Sequence, residues 1–116
     1  MKSTRVIAAL GALAHEHRLA IYRLLVTAAT EGLPAGSIAN RVGLAPSSLT
    51  FHLQNLQRAG LIMQRREGRQ LIYSTDFGVM SAVLAYLTEN CCGGSTVCVP
   101  CAPPVAARTR RSRTAA

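Results

Sequence analysis

One stretch of the sequence, residues 35–75, constrains the fold more than any other. Its first part, 35–41, has the apolar spacing of a short helix. Gly43 interrupts that pattern, and Pro46 restarts it in a segment that lasts to residue 59. Glycine accepts the left-handed conformation that ends a helix, and proline suits a first turn, where its missing N–H is not needed. The stretch therefore predicts two helices joined by a tight turn, a helix-turn-helix.

The segment after this pair has the pattern of a β-hairpin. Two runs typical of strands occupy 61–66 and 70–75, and the turn Glu67-Gly68-Arg69 lies between them. A hairpin directly after a helix-turn-helix is a wing. Helical spacing also covers the flanking segments, so we expect a mainly α fold with one small hairpin, its other helices at 3–13, 16–28 and 77–89.

Composition and charge limit the classes of protein that this chain can be. With 116 residues, 49% of them hydrophobic, it can form one small globular domain, and no apolar run is long enough to cross a membrane. Thirteen basic residues oppose five acidic ones, which gives a net charge of +8 and favours a nucleic-acid partner. We expect a domain over 1–90, a cysteine-rich segment over 91–101 and a basic, disordered tail over 102–116, in a reducing cytoplasm.

The second helix of the pair has the composition of a DNA-reading helix. Leu49, Leu53 and Leu56 form an apolar stripe that we expect to be buried. His52 beside them is interpreted as a buried or half-buried structural residue, with a base or metal contact as the alternative. A major groove admits one α-helix, whose exposed polar side chains meet base edges. Arginines on a wing suit phosphates or a minor groove. The predicted DNA-binding residues are Ser47, Ser48, Thr50, Phe51, Gln54 and Asn55 on the helix, with Arg65, Arg66 and Arg69 on the wing.

These two segments carry a family resemblance. The run PSSLTFHLQNLQRAGLIMQRREGRQLIY, residues 46–73, resembles the recognition helix and wing of the ArsR/SmtB family of winged-helix metalloregulators. The run ALAHEHRLAIYRLL, residues 12–25, resembles that family's second helix. One departure is Ala45, where the family often has a serine that caps the helix. The resemblance implies a homodimer through helices 1 and 5, which binds an inverted-repeat operator in double-stranded DNA.

All four cysteines lie within eleven residues of the chain: Cys91, Cys92, Cys98 and Cys101. Thiolates are soft ligands suited to As(III), Sb(III), Cu(I), Cd(II) or Zn(II), whereas carboxylates for a hard cation are almost missing nearby. Because As(III) and Sb(III) take three thiolates, and a flexible Gly-rich linker separates the pairs, three sulfurs could converge on one ion. A zinc tetrathiolate, a redox switch of Cys98 with Cys101, and inert thiols are the alternatives.

The resemblance favours the metalloid. The pattern of Cys91, Cys92 and Cys98 is similar to the C-terminal arsenite site of some arsenic-responsive repressors, and leaves Cys101 without an assigned role. The expected function is a DNA-binding repressor that As(III) or Sb(III) releases from its operator, with no organic cofactor. A thiol-dependent arsenate reductase is disfavoured, because no arginine lies six residues after any cysteine to cradle an oxyanion.

Overall fold

A computed structural model describes residues 1–89. Its elements are helix α1 (Ser3–Leu13), α2 (Glu16–Thr27), a 3₁₀ turn (Ala29–Glu31), strand β1 (Leu33–Pro34), α3 (Ala35–Val42), α4 (Pro46–Arg58), β2 (Ile62–Glu67), β3 (Gln70–Thr75) and α5 (Phe77–Thr88). The mainly α architecture with a helix-turn-helix and a hairpin is confirmed. The cysteine-rich segment and the tail lie outside the described residues. Within the part that the structure describes, no helix is long and apolar enough to span a bilayer.

The strands form one antiparallel sheet in the order β1-β3-β2. Strand β1 is absent from the sequence prediction. It consists of two residues, Leu33 and Pro34, which pair with Tyr73 and Ile72. Gly32, just before it, has a φ of +71°, and a Cβ there would collide with the carbonyl oxygen of Tyr73. Only glycine therefore fits this close approach of β1 to β3.

The apolar stripes of α2, α3 and α4 meet in one core. Leu49, Leu53 and Leu56 are buried, as predicted, and their partners include Ile21 and Leu25 of α2 and Ile38 of α3. α1 contributes Val6 and Ala9, while its Ile7 and Leu10 are exposed to solvent. The core therefore holds α4 by one face and leaves the opposite face free.

Helix α5 begins as predicted, because the Asp76 carboxylate caps it: its Oδ1 accepts hydrogen bonds from the backbone N–H groups of Gly78 and Val79. The chain divides into a unit Met1–Val83 and a unit Leu84–Ala116, of which only the end of α5 to Glu89 is described. Val83 is buried in the first unit. Leu84 and Leu87, predicted on the same stripe, are exposed.

Candidate nucleic-acid interface

A tight turn after α3 leads directly into helix α4. Gly43 ends α3 in the left-handed conformation with a φ of +71°, and α4 begins at Pro46. Ala45 occupies the N-cap position and provides no side-chain hydrogen bond, as expected from its methyl group. The first N–H groups of α4 thus have no side-chain cap. A free helix N-terminus favours contact with an anion, such as a DNA phosphate.

The face of α4 opposite the leucines is open to solvent. Phe51 is 60% exposed and Gln54 is also exposed, and neither side chain has a polar or apolar role in the core. The Thr50 hydroxyl donates to the Pro46 carbonyl at 3.0 Å, and the Asn55 amide donates to the Phe51 carbonyl at 3.0 Å. The structure brings five of the six predicted residues together on the exposed surface and leaves Asn55 half-buried: Ser47, Ser48, Thr50, Phe51, Gln54 and Asn55.

The wing arginines have different surroundings. Arg65 donates from Nη1 to the Thr30 carbonyl at 3.2 Å and from Nη2 to the Glu31 carbonyl at 2.7 Å, and its Nε pairs with the Glu67 carboxylate at 2.8 Å. This guanidinium ties β2 to the connection between α2 and β1. Its donors are engaged within the protein, so a DNA contact by Arg65 would compete with these bonds.

The other two wing arginines lie at the tip of the hairpin. Arg66 donates from Nε to the Gly68 carbonyl at 3.4 Å, a long and weak bond. Arg69 lines an open cleft of about 520 Å³ between the wing and the start of α3, together with Asn40 and Gln70. Both side chains are exposed at the end of the β2–β3 hairpin. Their positive charge is therefore available to a phosphate or a minor groove.

His52 lies in the middle of α4 and is buried, as predicted, with 7% of its surface exposed. Arg18 of α2 donates from Nη1 toward its Nδ1 at 3.4 Å and from Nε to the Ala12 carbonyl at 2.7 Å. Burial, and then the charges of His15, Arg18 and His17, lower the pKa of His52 from its ordinary value. Arg18 thus joins the end of α1 to α4.

Sequence reasoning missed two features of this region. Arg65 was assigned only to DNA, whereas the structure also gives it a role in anchoring the wing. His52 was considered alone, although His15 and His17 lie beside it. The spacing of His15 and His17 in the sequence was the one available signal. The three predicted metalloid ligands and Cys101 lie outside the described residues, and within residues 1–89 no group of three or more His, Cys, Asp and Glu side chains is placed so that it could hold a metal ion.

Comparison with known proteins identifies the family of the chain. A helix-turn-helix domain family matches residues 13–65. The nodulation protein NolR of Rhizobium meliloti is 32% identical over 80 residues, which cover 69% of this chain and 63% of that protein. The chain thus spans less than two thirds of NolR. The transcriptional activator HlyU of Vibrio cholerae is 30% identical over 90 residues, or 78% of this chain and 81% of that protein.

Solved structures share the architecture. HlyU superposes with a TM-score of 0.61 over 78% of this chain and 95% of the HlyU chain, at 30% identity. A homodimeric winged helix-turn-helix domain from Mycobacterium bovis, described as a possible ArsR-family regulator, gives a TM-score of 0.58 at 27% identity, over 75% of this chain and 81% of that one. The winged helix-turn-helix prediction is therefore confirmed at the level of fold and of family. The individual DNA-binding residues stay predictions.

Proposed function

The chain belongs to the ArsR/SmtB family of winged-helix transcriptional regulators, and on that premise we propose that it is a homodimeric repressor released from its operator by trivalent arsenic or antimony. Its place of action is the cytoplasm, where the DNA is. The observation that supports DNA binding is the exposed face of α4, with Phe51 and Gln54, together with the exposed arginines of the wing tip. Two such faces in a two-fold dimer would read an inverted repeat.

The proposed dimer uses α1 and α5, each of which exposes apolar side chains. On α1 these are Ile7, 67% exposed, and Leu10, and a Cβ added to Gly11 would meet nothing within 4 Å. The end of α5 separately exposes Leu84 and Leu87. Large apolar side chains on adjacent turns of a helix are costly in water and favour a protein partner. Analytical ultracentrifugation tests the dimer, and an Ile7→Glu variant should sediment as a monomer.

The proposed inducer site consists of Cys91, Cys92 and Cys98, which supply three thiolates for a pyramidal As(III) or Sb(III) ion. Its support is the chemistry of the ligand set and the spacing in the sequence. Metalloid binding must change operator affinity through a coupling free energy, for which about 1–3 kcal/mol, or about 5–150-fold, is typical. By linkage, bound operator must weaken metalloid binding by the same factor.

Cysteine variants separate the metalloid from its alternatives. A bound duplex is first selected from a randomised DNA library, and its release is then followed by fluorescence anisotropy with arsenite, antimonite, Zn(II), Cd(II) or an oxidant. Cys92→Ser should bind the duplex normally and ignore arsenite, because a neutral hydroxyl replaces a soft thiolate. Cys91→Ser and Cys98→Ser should behave alike. Cys101→Ser is the matched control and should respond as the wild type does.

The alternatives to the metalloid site predict different responses of the cysteine variants. A zinc tetrathiolate makes Cys101→Ser as damaging as the other three and leaves zinc in the purified protein. A redox switch makes oxidant alone release the duplex from the wild type but not from Cys101→Ser. Full arsenite response in Cys92→Ser refutes the metalloid site. Because the relative HlyU is named an activator, transcription in vitro from the selected site decides between repression and activation.

A further inference from the structure

The three histidines of the chain lie together between the start of α2 and the middle of α4. His15 is the N-cap residue of α2, His17 lies in its first turn, and His52 lies in α4. The ring centroids are separated by 4.7 Å for His15 and His52, 5.6 Å for His15 and His17, and 5.7 Å for His17 and His52. We refer to these three residues as the histidine cluster. No step of the proposed metalloid response uses it.

Two hydrogen bonds of the histidine cluster require neutral imidazoles. The Nδ1 of His15 accepts from the backbone N–H of His17 at 3.1 Å and so caps α2. The Nδ1 of His52 faces the Nη1 donor of Arg18 at 3.4 Å, and the Nε of Arg18 donates to the Ala12 carbonyl at 2.7 Å. An Nδ1 that accepts carries no proton, whereas both nitrogens of an imidazolium are donors. Proton uptake by His15 and His52 therefore removes both bonds.

The titratable groups that act on His52 are all cationic when charged. They are His15, Arg18 and His17, in α2 or at its N-cap, and the His52 side chain itself is buried. Helices α1 and α3 and strand β2 also pack against α4, and they add no charge to this environment. Glu16, between His15 and His17 in the sequence, is exposed and forms no ion pair within residues 1–89. A proton on His52 is therefore a buried charge without a counter-ion, 3.4 Å from a guanidinium.

The direction of the pH effect follows from burial and from these charges. Both lower the pKa of His52 below its ordinary 6.5, and burial is the larger cause. In the unfolded chain His52 keeps its ordinary pKa, so the unfolded chain binds the proton first when the pH falls. The stabilisation by neutral His52 is therefore fully present above about pH 6.5 and is lost as the pH falls from there through the pKa of the folded state. Acid thus favours states in which His52 has left its place between α4 and the start of α2.

We propose that the histidine cluster is a pH switch, through which mild acid loosens α4 from the start of α2 and lowers the affinity of the chain for DNA. This inference rests on the DNA-binding role proposed above for α4, and not on the cysteine site. The path from the cluster to the proposed DNA-binding face is one contact long. The ring of His52 packs edge-on against the ring of Phe51, with centroids 5.6 Å apart, and Phe51 is 60% exposed on that face.

Protonation also adds positive charge, which by itself attracts DNA. The two effects have opposite signs, and the geometry favours the loss of affinity. Attraction between exposed charges is screened within about 8 Å at physiological ionic strength. The repulsion between His52 and Arg18 acts instead at 3.4 Å and on a buried side chain, where salt screens much less. We therefore expect the affinity for DNA to fall on acidification.

The test compares about pH 7.5 with about pH 5.5 at constant ionic strength, on the full chain with its cysteines reduced. Fluorescence anisotropy with the selected duplex measures affinity, urea denaturation measures stability, and ¹H–¹³C NMR signals of the imidazoles follow each histidine separately. For the wild type we expect an affinity at least about fivefold lower at the lower pH, which corresponds to the loss of one hydrogen bond. The urea midpoint should also fall, and the His52 signal should titrate at a lower pH than in the denatured chain.

His52→Asn is the diagnostic variant. Its amide oxygen can accept from Arg18 in place of Nδ1 and binds no proton, so its affinity and its urea midpoint should change little between the two pH values. His15→Asn keeps an acceptor at the N-cap of α2 and removes one cationic neighbour of His52, so it should reduce the pH response in part. Glu31→Gln removes a titratable group outside the cluster and is the control, which should keep the full wild-type response.

Three results overturn the proposal: a wild-type affinity that is unchanged or higher at the lower pH, a His52→Asn variant that keeps the wild-type pH response, or a His52 signal that titrates as in the denatured chain. If His52→Asn does not fold, the wild-type titration of His52 and the response of His15→Asn decide. Failure of the proposed function is a separate result, because it shows as the absence of any bound duplex at about pH 7.5. In that case the urea midpoints and the His52 titration still decide whether acid loosens the cluster.

Discussion

Phe51 and Leu53 are two residues apart in α4, and their replacement by alanine should have opposite effects. Leu53 is 2% exposed, so Leu53→Ala leaves a cavity and should cost about 2–5 kcal/mol of unfolding free energy. Phe51 is 60% exposed, so Phe51→Ala should change that free energy by no more than about 0.5 kcal/mol. The two variants therefore distinguish residues that pack α4 against the core from residues that α4 exposes to solvent.

The effect of Phe51→Ala on DNA binding follows from the same exposure. A phenylalanine has about 200 Å² of surface, of which about 120 Å² is free here. If DNA covers half of that free area, the contact contributes about 1.5 kcal/mol at about 25 cal/mol per Å². This is about tenfold in affinity per subunit, and about a hundredfold for a dimer that engages two half-sites. The loss should be largest on duplexes with a thymine methyl at the contacted position.

Urea denaturation, followed by circular dichroism, measures the stability of both variants, and fluorescence anisotropy with the selected duplex measures their affinity. Phe51→Ala should unfold at the wild-type midpoint and bind weakly. A Phe51→Ala protein that folds and binds like the wild type would mean that the DNA does not cover this face of α4. A variant that unfolds at a much lower urea concentration would place Phe51 in the core, contrary to its exposure.

The remaining predictions concern α4, the wing and the core. Gln54→Ala should relax the base preference at one position of each half-site. Arg69→Ala should instead weaken binding to all duplexes alike and lower the slope of affinity against salt by about one. Unchanged DNA binding by both variants would mean that the interface lies elsewhere. Arg65→Ala should lower the urea midpoint, because the carbonyls of Thr30 and Glu31 lose their hydrogen-bond donor. A variant that loses only DNA affinity would show that these two hydrogen bonds contribute nothing to stability. Tyr22→Phe should raise the unfolding free energy by about 1 kcal/mol at neutral pH, because the buried hydroxyl has no partner in the described residues. Burial, with the Asp76 charge, raises the pKa of Tyr22 to about 12, so the wild type should lose stability from pH 10 to 12, where only the unfolded chain ionises this group; a decline that persists unchanged in Tyr22→Phe would contradict that assignment.

Most of the fold could be predicted because it depends on local patterns. Helix bounds differ from the predicted ones by at most a residue or so, since Gly43, Pro46 and Asp76 act on the backbone next to them. The two residues of β1 could not be predicted, because a strand of that length has no alternation of its own. It is defined by pairing with β3, a partner far away in sequence.

The exposed face of α4 in the candidate interface could also be predicted from a local pattern. The leucine stripe of α4 is buried, and so the opposite face had to be exposed. What the sequence could not provide was the set of contacts between distant segments, such as Arg65 with the carbonyls of Thr30 and Glu31. Periodicity also shows which residues share a face without showing what covers that face: Leu84 and Leu87 were predicted on one stripe with Val83, but of these three only Val83 is buried.

The pairing of β1 with β3 has a consequence for the kinetics of folding. Strands β2 and β3 are joined by a tight turn, and such hairpins form within about 1–10 μs. Pairing of Leu33 with Tyr73 instead closes a loop of about forty residues that contains α3 and α4. Closing that loop lowers the conformational entropy of the chain before the contact between β1 and β3 stabilises it. The third strand should therefore join the sheet late, after the helix pair has condensed, and substitutions at Gly32 should slow refolding less than they accelerate unfolding.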